Sequence, residues 1–190
     1  KDIYNAEDPY AVPNFRIVDA ANGIYEDALV QPEEMTDYEL GVAYKSDIVS
    51  ADLNLYLMDF KNEIVSNGML DNVGQPISGN AGKSIHKGME LQMNIKPFYQ
   101  KYLSNISLSG NLNLSDNYFT DYTEINGVDS LGNIIYGNDY SDNSIILTPD
   151  IIANISLNYF TTNNINAYIS LQYIGEQYLD NSENERKNPD

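Results

Sequence analysis

His86-Lys87-Gly88-Met89-Glu90-Leu91-Gln92-Met93-Asn94-Ile95 alternates along its length: Met89, Leu91, Met93 and Ile95 share one parity, while His86, Gly88, Glu90, Gln92 and Asn94 share the other. A period of two marks a β-strand with one apolar and one polar face, because successive side chains of an extended chain point to opposite sides. About ten such residues are what a tilted strand needs to cross the hydrocarbon core of a bilayer. The apolar face therefore meets either lipid or a second packed sheet.

Five other segments repeat the pattern. Tyr38, Leu40, Val42 and Tyr44 oppose Glu39, Gly41, Ala43 and Lys45, and Leu53, Leu55 and Leu57 oppose Asp52, Asn54 and Tyr56. Ile106, Leu108, Leu112 and Leu114 oppose Asn105, Ser107, Ser109, Asn111 and Asn113. Ile151 to Tyr159 and Ile165 to Tyr173 close the series in the same manner. The alternation predicts an all-β chain of six antiparallel up-and-down strands, over residues 36–46, 50–65, 84–96, 104–119, 147–160 and 164–178.

The predicted connections alternate in length. Short ones fall at Ser46-Asp47, Lys96 to Leu103 and Thr161 to Asn164, and long ones at Asn67 to Ser84 and Thr120 to Thr148. Short turns at one end and long loops at the other are the pattern of a transmembrane barrel. A soluble sandwich would have tight hairpins at both ends, and structureless connections of about 25 residues count against a compact domain. Aromatics gather where strands end: Phe98, Tyr99, Tyr102, Tyr159 and Phe160 by the short turns, and Phe60, Tyr118, Phe119, Tyr122, Tyr173 and Tyr178 by the long loops. They predict two interfacial girdles.

Composition narrows the function. A net charge of −18 with only ten scattered Lys and Arg excludes nucleic acid, whose phosphates demand clustered cations. No apolar run approaches the ~20 residues of a membrane helix, and Lys1 to Pro13 lack the apolar centre of a signal peptide. With no Cys, disulfides and thiolate metal sites are absent.

No enzyme motif stands out: there is no glycine-rich phosphate loop opening a helix, no G-x-S-x-G and no metal-spaced His pair. His86 shares its predicted face with Glu90, but four strand residues hold them ~13 Å apart, too far to share a metal ion. The stretch Asp121 to Asn133 has acids and glycines, yet the position of Gly127 does not fit an EF-hand, and it reads as a surface loop. Glu33-Glu34, and Glu183 with Glu185, are paired carboxylates with no frame that converges on them. The loop carrying Asp121, Glu124, Asp129, Asp139, Asp142 and Asp150 holds no Lys or Arg, which suits a solvated loop or one that meets divalent cations at the cell surface. No catalytic residue, metal ligand or cofactor is assigned.

Motifs then carry a resemblance. Gln31-Pro32-Glu33-Glu34-Met35-Thr36-Asp37-Tyr38-Glu39-Leu40-Gly41 resembles the lead into a barrel strand of TonB-dependent receptors. Leu55-Tyr56-Leu57-Met58-Asp59-Phe60-Lys61-Asn62-Glu63-Ile64 resembles the next strand of that family, and Asn80 through Leu91 its return strand. Thr148-Pro149-Asp150-Ile151-Ile152-Ala153-Asn154 and Tyr173-Ile174-Gly175-Glu176-Gln177-Tyr178-Leu179-Asp180-Asn181 resemble late segments, in the same order. Lys1-Asp2-Ile3-Tyr4-Asn5 looks like the region after a strand end in receptors from Bacteroidota.

The resemblance implies six strands of a 22-stranded outer-membrane barrel. The plug, the TonB-contacting segment and the final strand then lie outside this chain, since Asn188-Pro189-Asp190 is not the aromatic end of such a barrel. It implies as partners outer-membrane lipid, the plug of the parent chain, TonB and an extracellular small-molecule ligand. The implied activity is TonB-energised import of a scarce nutrient, with a ferric siderophore or similar chelate first. The same strands also allow a non-transporting β-rich surface adhesin or matrix-binding protein. Alone, such a piece would expose two strand edges and an apolar face, and so would associate.

Overall fold

A computed structural model describes residues 15–19, 22, 24–28, 31–70, 74, 76–96, 105–128, 134–160 and 166–183. Two short strands, β1 (Phe15–Asp19) and β2 (Ile24–Ala28), pair as a separate hairpin. The main sheet is built from β3 (Glu34–Lys45), β4 (Val49–Leu70), β5 (Pro76–Ile95), β6 (Ile106–Asp121), β9 (Ile151–Phe160) and β10 (Asn166–Ile174). Between β6 and β9 lies a second hairpin, β7 (Thr123–Val128) with β8 (Ile134–Asp139). The large sheet has the order β10-β9-β6-β5-β4-β3, antiparallel throughout, and it is open at β3 and β10.

Register turns the one-dimensional alternation into two continuous faces. Val42, Leu53, Leu91, Leu112, Ala153 and Tyr173 are successive cross-strand partners and form one row across all six strands. Parallel rows run from Ile106–Tyr159–Ala167 at one end to Tyr38–Leu57 at the other. They are five two-residue steps apart, so the apolar band extends ~33 Å along the strands, or ~25 Å in height at a tilt of ~40°. That is the height of the lipid-facing band of an outer-membrane barrel. Leu40 and Leu171 are 65% and 68% exposed, so among the described residues no second sheet covers this face.

Short connections close as expected where they are described. Ser46 bonds Val49 three ways, through backbone N–H to carbonyl (2.7 Å), hydroxyl to carbonyl (3.1 Å) and Val49 N–H to hydroxyl (3.0 Å). The turns at 97–104 and 161–165, with Phe98, Tyr99 and Tyr102, lie outside the described residues, as do Lys1 to Asn5, Glu185 and Asn188 to Asp190.

The expected long connection from Asn67 to Ser84 is instead a β-hairpin. β4 and β5 stay paired from Val49↔Ile95 to Leu70↔Pro76. Above the apolar band both faces of a strand are wet, so the pairing persists while the alternation that reveals it stops. The surface-loop reading of Asp121 to Asn133 is corrected likewise: its first part is strand β7.

The upper girdle also needs correction. Phe60 and Phe119 have the parity of the polar face, where Phe60 meets His86 edge-on at 5.0 Å and Phe119 is fully buried. Tyr173 sits in the central row rather than at an edge. Tyr38 and Tyr118 are the aromatics that stand on the outer face near the upper end of the band.

Candidate functional site

The polar face of the sheet carries two open depressions. Asp52, Asn54, Glu90, Gln92, Asn111 and Asn154 line an open depression of about 640 Å³. A smaller one of about 280 Å³ adjoins it, sharing Asn54 and Glu90 and adding Glu39, Tyr56, Met58, His86 and Asn117. Side-chain ladders hold this surface: Asn154 Nδ2 donates to Asn111 Oδ1 at 2.8 Å, and the Ser156 hydroxyl donates to Ser170 Oγ at 2.9 Å. Asn113 Oδ1 is buried without a donor among the described residues. Glu39 and Glu90 have no ion pair among them either.

His86 lies on this face, as the alternation predicts, but its partner is Glu63. His86 Nε2 is 3.0 Å from Glu63 Oε1 and 3.2 Å from Oε2, and the Ser84 hydroxyl donates to the same carboxylate. Strict alternation from Leu57 places Glu63 on the outer face. Asn62, with φ 54°, interrupts the parity and turns Glu63 inward. Asparagine tolerates the left-handed region better than most residues, but Asn54, Asn94, Asn111 and Asn154 hold regular strand positions, so the sequence carries no distinct signal for the break at Asn62.

At one end of the sheet, residues of β4, β5 and β6 and of the connection between β6 and β9 make a small core. Val65, Ala81, Phe119, Tyr122 and Ile145 are buried together, with Tyr140 packed against them. The Phe119 and Tyr122 rings are 4.6 Å apart, and Tyr122 and Tyr140 are 5.7 Å apart. Residues 175–183 run beside 143–151: Gly175 N–H bonds Ile151 O and Leu147 N–H bonds Tyr178 O. Asn181, 2% exposed, accepts from Asn143 Nδ2 at its carbonyl and donates from its own amide to Ser66 O on β4. The segment after β10 is thus tied to a strand four places away in the sheet. Asp139 accepts from the Ser141 hydroxyl and N–H, which holds its carboxyl below the usual range.

Burial, with Glu124 and then Tyr140 adding charge, pushes the Tyr122 phenol up to about 12. The folded state thus favours the neutral phenol, and Tyr122's contribution is fully present below its unfolded value near 10. It is lost as pH rises from about 10 through about 12. Subtracting the phenolate absorbance of Y122F from that of the parent should give one component titrating near 12. A component near 10 would show that the loop core is not packed.

Glu33 Oε2 accepts from Ile64 N–H at 2.9 Å, Glu34 lies across from Lys61 on the outer face, and Glu183 accepts from Ser144 N–H. Among the described residues no three His, Cys, Asp or Glu side chains gather at metal-binding distance.

Comparison with known proteins agrees with this geometry. The family model described as TonB dependent receptor-like, beta-barrel matches residues 5–190. The ferric citrate transporter FecA in its unliganded form is similar with a TM-score of 0.58 at 22% identity, over 80% of this chain and 20% of FecA. The siderophore receptor PiuA from Acinetobacter baumannii gives 0.54 at 18% identity, over 85% and 20% of the two chains. The ferric yersiniabactin uptake receptor FyuA from Yersinia pestis gives 0.53 at 19%, over 78% and 20%. None of the curated proteins compared with the chain matches it. The chain therefore spans about a fifth of the length of these solved receptors, and the likeness is one of fold. Barrels of this kind are outer-membrane proteins. With its rows, faces and family match together, the chain belongs to the TonB-dependent receptor β-barrel family.

Proposed function

We propose that the complete receptor carrying this chain captures a scarce nutrient at the cell surface and imports it with TonB-transduced energy, a ferric siderophore or similar chelate being the first cargo. The observation that carries this is the continuous wet face of Asn, Ser, Gln and Glu, roofed by packed loop residues. The uptake of ferric chelates by the FecA and FyuA proteins supports the choice of cargo, and the copper transporter OprC, similar at a TM-score of 0.54, names the competing one.

In a closed barrel the polar face would meet the plug of the parent chain. Glu39 and Glu90 present carboxylates there, and Asn113 Oδ1 an acceptor without a donor. Both carboxylates are exposed in this chain, and a plug that covered them would bury them, which calls for cations, so the plug surface opposite them carries Lys or Arg in this reading.

Uptake of labelled ferric chelates and of labelled copper by iron-starved cells, with and without the receptor gene and with TonB removed, tests the function. The expected result is iron uptake that needs both the receptor and TonB. Uptake unchanged by loss of the receptor sinks the reading, and uptake of copper alone replaces the cargo.

A further inference from the structure

Between Lys101 and Arg186 the sequence holds no Lys or Arg, and inside that stretch one carboxylate is buried: Glu124 on β7 is 7% exposed. It makes no ion pair and no hydrogen bond among the described residues. A carboxylate taken out of water without a cation or a donor is among the most costly arrangements a fold can hold. The other acids at the base of the hairpin differ: Asp121 and Asp139 are exposed, and Asp139 already accepts twice from Ser141.

Register aims Glu124 at a gap. Thr123 pairs with Asp139 and Ile125 with Tyr136, so Glu124 alone stands against both Gly137 and Asn138, in a β-bulge. A Cβ at Gly137 would lie 2.7 Å from Glu124 Oε2, and 2.6 and 2.7 Å from the amide nitrogen and oxygen of Asn126. The carboxylate and the amide therefore converge over a glycine whose missing side chain leaves them room. Tyr122 borders the carboxylate closely enough for its charge to act on the phenol, and the Tyr140 ring is 5.7 Å from that of Tyr122.

A carboxylate, an amide oxygen and tyrosine rings suit an organic cation, whose N–H groups bond the oxygens while its charge rests against aromatic faces. A hard divalent ion asks for more. Calcium takes roughly six to eight oxygens, and no three His, Cys, Asp or Glu side chains gather at metal-binding distance among the described residues. One unpaired carboxylate matches one positive charge.

We propose that Glu124, with Asn126 and Tyr122 beside it, binds a single ammonium or guanidinium group in the β7–β8 hairpin. That group comes either from a small molecule reaching the hairpin from solvent or from a Lys or Arg elsewhere in the complete receptor.

The test is hydrogen–deuterium exchange of β7 and β8 in the full receptor in detergent, parent against E124Q, with methylguanidinium, methylammonium, the neutral N-methylurea or calcium chloride added. A cation taken from solvent should slow exchange of the parent hairpin about tenfold at about ten times its dissociation constant. It should leave E124Q unmoved, and N-methylurea should do nothing to either. A basic side chain of the receptor would instead protect the parent hairpin with nothing added, and E124Q, which strands that cation, should exchange faster. If Glu124 has no cation, E124Q removes an uncompensated charge and exchanges as slowly as the parent or more slowly, whatever is added; that result overturns the proposal. Protection of the parent by calcium chloride but by neither organic cation overturns it too. Unchanged heat-modifiable mobility shows that E124Q is a folded barrel, and the readout needs no uptake, so a receptor that imports nothing would still give it.

Discussion

Leu91→Arg strongly destabilises the receptor barrel, while Gln92→Arg, one residue away, leaves it close to the parent's stability. Leu91 belongs to the row that lies near the middle of the apolar band and has Leu53 and Leu112 as cross-strand neighbours. An Arg on the lipid face near the midplane costs about 2–4 kcal/mol, because its guanidinium must leave water or thin the bilayer around it. Stability of natural proteins is typically only about 5–15 kcal/mol, so the loss is a large part of the whole. Gln92 has the opposite parity and lines the wet depression, where a cation keeps its hydration. Heat-modifiable gel mobility and urea unfolding in vesicles of the full receptor read both variants. Equal loss in the two would mean that the faces are assigned the wrong way round, or that neither meets lipid.

That contrast rests on parity, and parity is what the sequence shows best. Inside the band, Met89, Leu91, Met93 and Ile95 must be apolar because lipid lies outside, and Glu90, Gln92 and Asn94 can be polar because water or the plug lies inside. The physical demand differs at every step, so it is written at every step. Beyond the band the demand is the same on both faces. The paired extension of β4 and β5 to Leu70↔Pro76, and strand β7, therefore leave little trace in the pattern.

The site was legible to the extent that it obeys the same rule. His86, Glu90, Asn111 and Asn154 could be placed on the polar face from parity alone. Glu63 could not, because a single left-handed residue, Asn62, reverses the facing of the residues after it. Two aromatics expected in the upper girdle depart from it for a related reason: closeness to a strand end says nothing of parity, which assigns Phe60 and Phe119 to the inside. The loop core of Phe119, Tyr122, Ile145 and Val65 joins residues up to 80 positions apart in the chain and has no local signature.

Gly88 provides the second large effect. On the polar face it is flanked by Tyr56 on β4 and Ser115 on β6. A Cβ at Gly88 would lie 2.4 Å from Leu114 O and 2.6 Å from Tyr56 Oη. The ring can swing away, but the Leu114 carbonyl belongs to the ladder and cannot, so Gly88→Ala must displace backbone in the middle of the sheet. Overpacking of this kind costs about 1–3 kcal/mol, and a contact with fixed backbone belongs at the upper end. Gly41, also on the polar face, is the comparison: a Cβ there would meet Asn54 Oδ1 at 3.7 Å, an ordinary contact. Gly41→Ala should therefore be near neutral in urea unfolding of the full receptor, and Gly88→Ala strongly destabilised. Adding Tyr56→Ala to Gly88→Ala should restore only part of the loss, since it removes the ring and leaves the carbonyl. Full restoration would place the whole conflict in the Tyr56 ring, and no loss in Gly88→Ala would mean that β5 and β6 are farther apart at this level than their register requires.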